Sequence, residues 1–420
     1  MSKEWMICNA RIDDAQDLVD IAIKDGKIVE VAKHGGHDKT AEVLDAGGHV
    51  VIPSLVESHL HPDKAFLEER MPNVSGTLAE AIRNTGILKA KYTLDDVIQR
   101  AETALRWSII HGATIMRAHP DVDPIAKLLG VQALLELREK YADYLDLQIV
   151  VFPQEGIIKA PGTLELMEEG IRQGADVVGA CPYNEADIAD TRRHLEIVFK
   201  MAEKHGLPLD MHVDFTDDAD DPRYMTTETI CDMTMAYGMQ GKVALGHVTT
   251  LGALNVDEAG PLFDKIARAG ITIMPLPATD LYLNGRKDKL NVRRGMAPVQ
   301  ALLKHGVNVV YASNNIRNAF TPFGNGNLLT IGYLLAETNH MGSAEQHREI
   351  IRMATYNAAR CLGIEETYGI AKGKKADLAV LASERLCDVV KDQPMVEYVI
   401  KAGNVIVENH LETKLAKVLQ

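Results

Sequence analysis

At 420 residues the chain exceeds what one hydrophobic core usually serves, so a large domain with a small companion is expected. Its 46% hydrophobic and 25% charged residues with 32 glycines exclude a disordered or fibrous chain, and a formal net charge of -14 disfavours nucleic acid and anionic membrane surfaces as partners. No segment approaches the roughly 18 consecutive apolar residues of a membrane helix, and the five scattered cysteines (Cys8, Cys181, Cys231, Cys361, Cys387), odd in number and without CxxC spacing, suit a reduced, cytoplasmic protein.

Residues 4 to 33 alternate apolar stretches about the turn Lys24-Asp25-Gly26-Lys27 and read as a hairpin. Eight short apolar runs follow, at Val50–Pro53 and then at 113–117, 147–152, 177–180, 209–212, 243–246, 271–274 and 307–312. Segments with helical spacing lie between or after them, at 95–111, 124–140, 163–173, 191–205 and 297–304. Eight strands alternating with helices is the pattern of an α/β chain closed into a TIM (β/α)8 barrel. An acidic run from Asp214 to Asp221, with five aspartates, reads as a solvated loop. The C-terminus is β-rich again, at 376–381 and 396–407 with the turn Lys401-Ala402-Gly403-Asn404. Two remote β-rich ends predict one small domain made from residues 1–52 and 365–420, around a barrel over 53–364.

Reactive groups in such a barrel sit at the C-terminal ends of strands. Five of the 15 histidines follow the runs: His59 and His61 after the first, His119 after the second, His212 at the fifth and His247 after the sixth. The pair in Glu57-Ser58-His59-Leu60-His61 is spaced by two, which in extended backbone turns both rings to one side. Imidazoles drawn from separate strands suit a mononuclear metal site, which also needs a base for the water it activates. The eighth run ends in Tyr311-Ala312-Ser313-Asn314-Asn315-Ile316-Arg317, where no acid is present.

These residues, with the segments 53–64, Phe152-Pro153-Gln154-Glu155-Gly156, 174–179, His212-Val213-Asp214, Gly246-His247-Val248-Thr249 and Pro322-Phe323-Gly324-Asn325-Gly326, resemble the amidohydrolase superfamily. The resemblance is to its cytosine deaminase branch, which also includes N-isopropylammelide isopropylaminohydrolase. It implies a distorted TIM barrel with a β-sandwich formed by both termini. It further implies that His59, His61 and His212 bind one divalent ion, commonly zinc or iron, and that His247 sits beside the activated water and the substrate. By the same resemblance Gln154 meets the edge of a ring, Lys64 holds a ring oxygen or a developing anion, and His119 lies near the pocket as a substrate contact or packed behind the ligands. A homo-oligomer and a small heterocyclic substrate are implied as well.

Two residues depart from the family pattern. Asn314 stands where the family has an aspartate that ligates the metal and accepts a proton, and Phe215 stands where a glutamate shuttles protons to the ring. Asp214 is the nearest acid in sequence, and alternation would turn it to the same side as His212 as a substitute base. Phe215 offers an aromatic face for a planar ring. The leading expectation is a metal-dependent hydrolase that deaminates or dealkylaminates a pyrimidine- or triazine-like ring by metal-activated water. Ring opening of a cyclic amide or imide, and a ligand-binding protein that lost turnover, are the alternatives that Asn314 and Phe215 leave open.

Overall fold

The computed structural model describes residues 4–15, 17–35, 42–216 and 220–416. Eight strands pair in chain order, all parallel: Leu55–Leu60, Ala113–Ala118, Asp146–Val151, Val177–Ala180, Leu209–Val213, Val243–His247, Thr272–Met274 and Asn308–Val309. Most are buried on both faces, because helices cover the outside and side chains fill the inside. The curled sheet closes on itself beyond the eighth strand. His61 N donates to Asn314 O and Asn314 N to His59 O, both at 2.9 Å, stitching the chain after the last strand to the first.

The first barrel strand differs from the sequence expectation. Val50–Pro53 is a buried strand, but it pairs antiparallel with Leu378–Leu381 in a terminal sheet, and the barrel begins only at Leu55. Val50–Pro53 is the more apolar of the two segments, whereas the barrel strand, Leu55–Leu60, carries Glu57, Ser58 and His59 and so reads as polar. Those polar groups are buried inside the barrel, where the site needs them.

The helix Thr163–Gln173 falls where its spacing predicts, and Leu94–Ile110, Ile188–His205 and Val299–Lys304 lie within a few residues of expectation. The helix expected from residue 124 starts at Leu129. Asp123 Oδ1 accepts from Ile125 N and Ala126 N at 2.8 Å, and Lys127 takes a left-handed φ of 53°, so the chain turns before it can coil. No helix among the described residues is long and apolar enough to cross a membrane.

Two four-stranded sheets from the chain ends make the small domain. One orders Lys27–Lys33, Val19–Lys24, Glu4–Ala10 and Glu42–Asp45, and the other orders Asn404–Glu408, Val396–Lys401, Leu378–Leu381 and Val50–Pro53. The predicted hairpin turns at Asp25-Gly26, both at positive φ (50° and 77°), the conformation a two-residue connection favours. Trp5, Ile7 and Ile21 from the first sheet share one core with Leu378, Val380 and Ile400 from the second. Asp377 ties this domain to the barrel, since its carboxylate accepts from Lys401 Nζ at 2.9 Å and Ala402 N at 2.7 Å while its carbonyl takes Ser54 N at 2.9 Å.

Asp377→Ala is expected to lower unfolding free energy by about 2 to 3 kcal/mol, because Lys401 stays buried with the half-exposed Asp146 as its remaining charged partner and the Thr114 carbonyl, at 3.4 Å, as its other contact. Urea denaturation reads this directly, and an unchanged midpoint would show that these remaining contacts suffice.

Candidate metal centre and substrate pocket

The extended backbone at His59 and His61 places their Nε2 atoms 3.3 Å apart, as the spacing predicts, and His212 Nε2 reaches to 2.7 Å from that of His59. All three rings are buried. His61 Nδ1 donates to the His119 carbonyl at 2.6 Å, which leaves its Nε2 as a lone pair. Burial, reinforced by the neighbouring charges, keeps the three rings neutral: it pushes His59 down to about 3 and holds His61 and His212 well below the usual range. Three neutral imidazoles therefore turn their Nε2 atoms towards one another. That donor set suits a divalent transition ion, since such ions require deprotonated imidazole.

A second layer lies behind the ligands. The rings of His119, His59 and His212 form a stack, with centroids 3.5 and 4.7 Å apart. His119 Nε2 lies 3.1 Å and His59 Nδ1 3.5 Å from Asp210 Oδ1, and Asp210 Oδ2 accepts from Arg117 at 2.9 Å. Burial works to raise the Asp210 carboxyl, but His119, His59 and Arg117 together hold it well below the ordinary carboxylate range. His119 thus packs behind His59, the second of its two expected placements, and is not among the residues that line the pocket.

On the other side His247 donates from Nδ1 to Asp280 Oδ1 at 2.6 Å, and Asp280 Oδ2 accepts from Leu276 N at 2.8 Å. The ring of Phe215 stacks on that of His247 at 3.9 Å and 18°. Both line a small, closely filled pocket with His61, His212, Lys64, Gln154 and Asn314. Leu78, Tyr183, Thr279, Asn315 and Phe320 complete it. Lys64 Nζ bonds Asp121 Oδ1 at 2.8 Å and Gln154 Oε1 at 3.3 Å. Asn314, in left-handed backbone at φ 60°, presents an Oδ1 that is buried and without a hydrogen-bond partner among the described residues.

Asp214 is elsewhere. Its left-handed φ of 51° breaks the strand alternation, and its carboxylate accepts from Thr226 N and Oγ1 (2.9 and 2.7 Å) and from Thr227 N and Oγ1 (2.9 and 2.5 Å) at the start of the helix Thr227–Ala236. It is a buried helix cap, turned from the pocket. Residues 217–219 of the acidic run lie outside the described residues, and Asp221 pairs with Arg223 at 2.7 Å.

The sequence reading missed Asp210, Arg117, Asp121, Asp280 and Asn315. Asp210 had a signal: it precedes His212 by two, so the alternation that joined His59 to His61 also brings it to the ligand side. The partners that tie the others to the site, Asp210 for Arg117, Lys64 for Asp121, His247 for Asp280 and Thr279 for Asn315, are 33 to 93 residues away in the chain, where no local pattern reports them.

Residues 42–407 match the model of the amidohydrolase family. Over nearly its full length the chain is similar to N-isopropylammelide isopropyl amidohydrolase of Pseudomonas sp. (strain ADP), at 29% identity covering 98% of this chain and 99% of that protein. Pterin deaminase of Rhizobium rhizogenes (strain K84 / ATCC BAA-868) is 27% identical, over 92% of this chain and 87% of its own. Among solved structures, 5-methylcytosine deaminase from Klebsiella pneumoniae liganded with 5-fluorocytosine superposes with a TM-score of 0.93 at 32% identity, covering 98% and 100% of the two chains.

Acid should unfold the protein through these histidines. Unfolded histidines take up protons near pH 6.5, whereas those of the cluster resist until much lower pH, so the unfolded state binds more protons and stability falls as pH drops from about 6.5 towards 3. The expected slope approaches about 1.4 kcal/mol per pH unit for each histidine. Buried Glu57, pushed from 4.5 up to about 7, and Asp63, pushed from 3.8 up to about 6, work in the opposite direction over the upper part of that window, against the three histidines of the cluster. Urea titrations at pH 7, 6 and 5 should show a falling midpoint, and a flat profile would contradict the burial of neutral rings.

Proposed function

The chain belongs to the amidohydrolase family and is an enzyme acting on non-peptide carbon–nitrogen bonds, and from that premise we propose that it removes an amino or alkylamino group from a small pyrimidine- or triazine-like ring. The observation that carries this reading is the meeting of three Nε2 atoms of neutral imidazoles, from His59, His61 and His212, at the pocket that His247, Phe215, Gln154 and Lys64 line. A divalent ion held by the three imidazoles, zinc or iron, would lower the pKa of a water it binds towards neutrality and polarise the bond to be cut.

The chain's own groups supply the rest. Asp280 keeps the proton of His247 on Nδ1, so Nε2 is the lone pair that takes a proton from the attacking water and returns it to the departing amine. Asn314 has no proton affinity to offer, and its partnerless Oδ1 instead accepts a hydrogen bond that holds the water in line. Gln154 and Lys64 hold the polar edge of the ring, while Phe215, packed on His247, meets its face and keeps bulk water off that side.

A second reading is favoured by one observation: none of the pocket-lining residues is a carboxylate. Opening a cyclic amide or imide needs no proton relay to a ring nitrogen, and this lining meets that requirement as well.

Metal analysis of the purified protein, joined to a screen of aminopyrimidines, alkylaminotriazines, pterins and cyclic imides, decides between them. About one equivalent of metal with release of ammonia or alkylamine is expected. Ring-opened product would favour the second reading, and protein that holds no metal and turns over nothing would sink both. His247→Ala should keep its metal and lose about 10²- to 10⁴-fold in kcat. Asn314→Asp should add a second titrating base, visible as a new limb on the acid side of the pH–rate profile.

A further inference from the structure

The polar wall of the pocket hangs on a buried chain of charges. Lys64 follows the first strand, Asp121 and Asp123 follow the second, Gln154 and Glu155 follow the third, and Lys89 ends the helix Leu78–Lys89. Asp121 joins two lysines: Oδ1 accepts from Lys64 Nζ at 2.8 Å and Oδ2 lies 2.6 Å from Lys89 Nζ. Lys89 also bonds Asp123 at 2.9 Å and Glu155 at 2.8 Å, and Asp121 N donates to Asp63 Oδ2 at 3.0 Å. Lys64, Lys89, Asp121 and Asp123 are each no more than 1% exposed, so solvent does not screen these contacts.

The arrangement fixes the polarity of Gln154. Its acceptor end is taken by Lys64 at 3.3 Å, and its Nε2 has the sulfur of Cys181 at 3.7 Å as its protein neighbour, a weak acceptor. An ammonium has no acceptor at all. The wall therefore offers a ligand hydrogen-bond donors only. Two ammonium groups face three carboxylates across the chain of charges, so Lys64 brings a hydrogen bond rather than net positive charge, which suits a neutral oxygen.

We infer that Asp121, gripped by Lys89, is a positioning residue that turns Lys64 onto the Gln154 carbonyl and so makes the pocket choose rings whose facing edge carries a carbonyl oxygen beside a bare ring nitrogen over rings with an amino group there. Sites built to hydrogen-bond one group discriminate strongly against an analogue that leaves their buried polar atoms unpaired. The inference rests on the reading of this pocket as a ring site, and its test separates the two.

The test is calorimetric binding of 2-pyrimidinone and 2-aminopyrimidine, which differ at the edge in question, to the metal-loaded full-length protein. Wild type is expected to prefer 2-pyrimidinone by at least about tenfold. Asp121→Asn and Lys64→Met should each bring the ratio to within about threefold while metal content stays the same, whereas a purely structural role would weaken both probes alike. Should Asp121→Asn fail to fold, Asp121→Glu keeps a charge for Lys89 while displacing Lys64, and it must shift the ratio too. Equal binding of the two probes by wild type, or a ratio that survives the substitutions, overturns the inference alone. Binding of neither probe overturns it together with the ring-site reading.

Discussion

Three neutral imidazoles whose Nε2 atoms converge are the constraint to which the rest of the molecule answers. Neutral histidine in a buried cluster holds its orientation only if its other nitrogen is engaged. His61 achieves this on the His119 carbonyl. His59 Nδ1 and His119 Nε2 instead lie 3.5 and 3.1 Å from one oxygen of Asp210, electrostatic contacts without hydrogen-bond geometry, and the other oxygen of Asp210 is held by Arg117. Arg117 in turn donates to Gln148 Oε1 at 3.0 Å and to the Cys361 carbonyl at 3.3 Å, so the aim of the ligand face is traced back to the barrel interior and the helix that packs against it.

A common rule governs the acids around the pocket. Asp121, Asp210, Asp214 and Asp280 are all buried close to the site, and none lines the cavity. Each is committed to a partner: Asp121 to two lysines, Asp210 to Arg117 and the histidine stack, Asp214 to two threonines, Asp280 to His247. Carboxylates here act on the ligand through the side chains they hold. A pocket lined by neutral and cationic groups follows, with its negative charge one layer back, where it orients donors without competing for the substrate.

Much of the architecture was legible because its signals are local. Apolar runs alternating with helical spacing marked seven of the eight barrel strands, and the three imidazoles were marked by their places at strand ends. The first strand was not, since Leu55–Leu60 carries the polar groups of the site and Val50–Pro53 looks more like a barrel strand than it does. The orientation of Asp214 was misread for a different reason: alternation holds only while the backbone stays extended, and a left-handed residue at the strand end voids it. The network of Lys64, Lys89 and Asp121 joins segments that touch only after the barrel has closed, so no window of sequence contains it.

The seam between the first and last strands places a residue at φ 60° where the site begins, and its backbone N–H and carbonyl are the stitches. Among residues with side chains, asparagine and aspartate adopt that conformation at least cost. Position 314 can therefore exchange an amide for an acid of the same shape while the stitches stay in place. Heredity can tinker with reactivity here through a swap of one heavy atom, and the scaffold would not register that anything had changed.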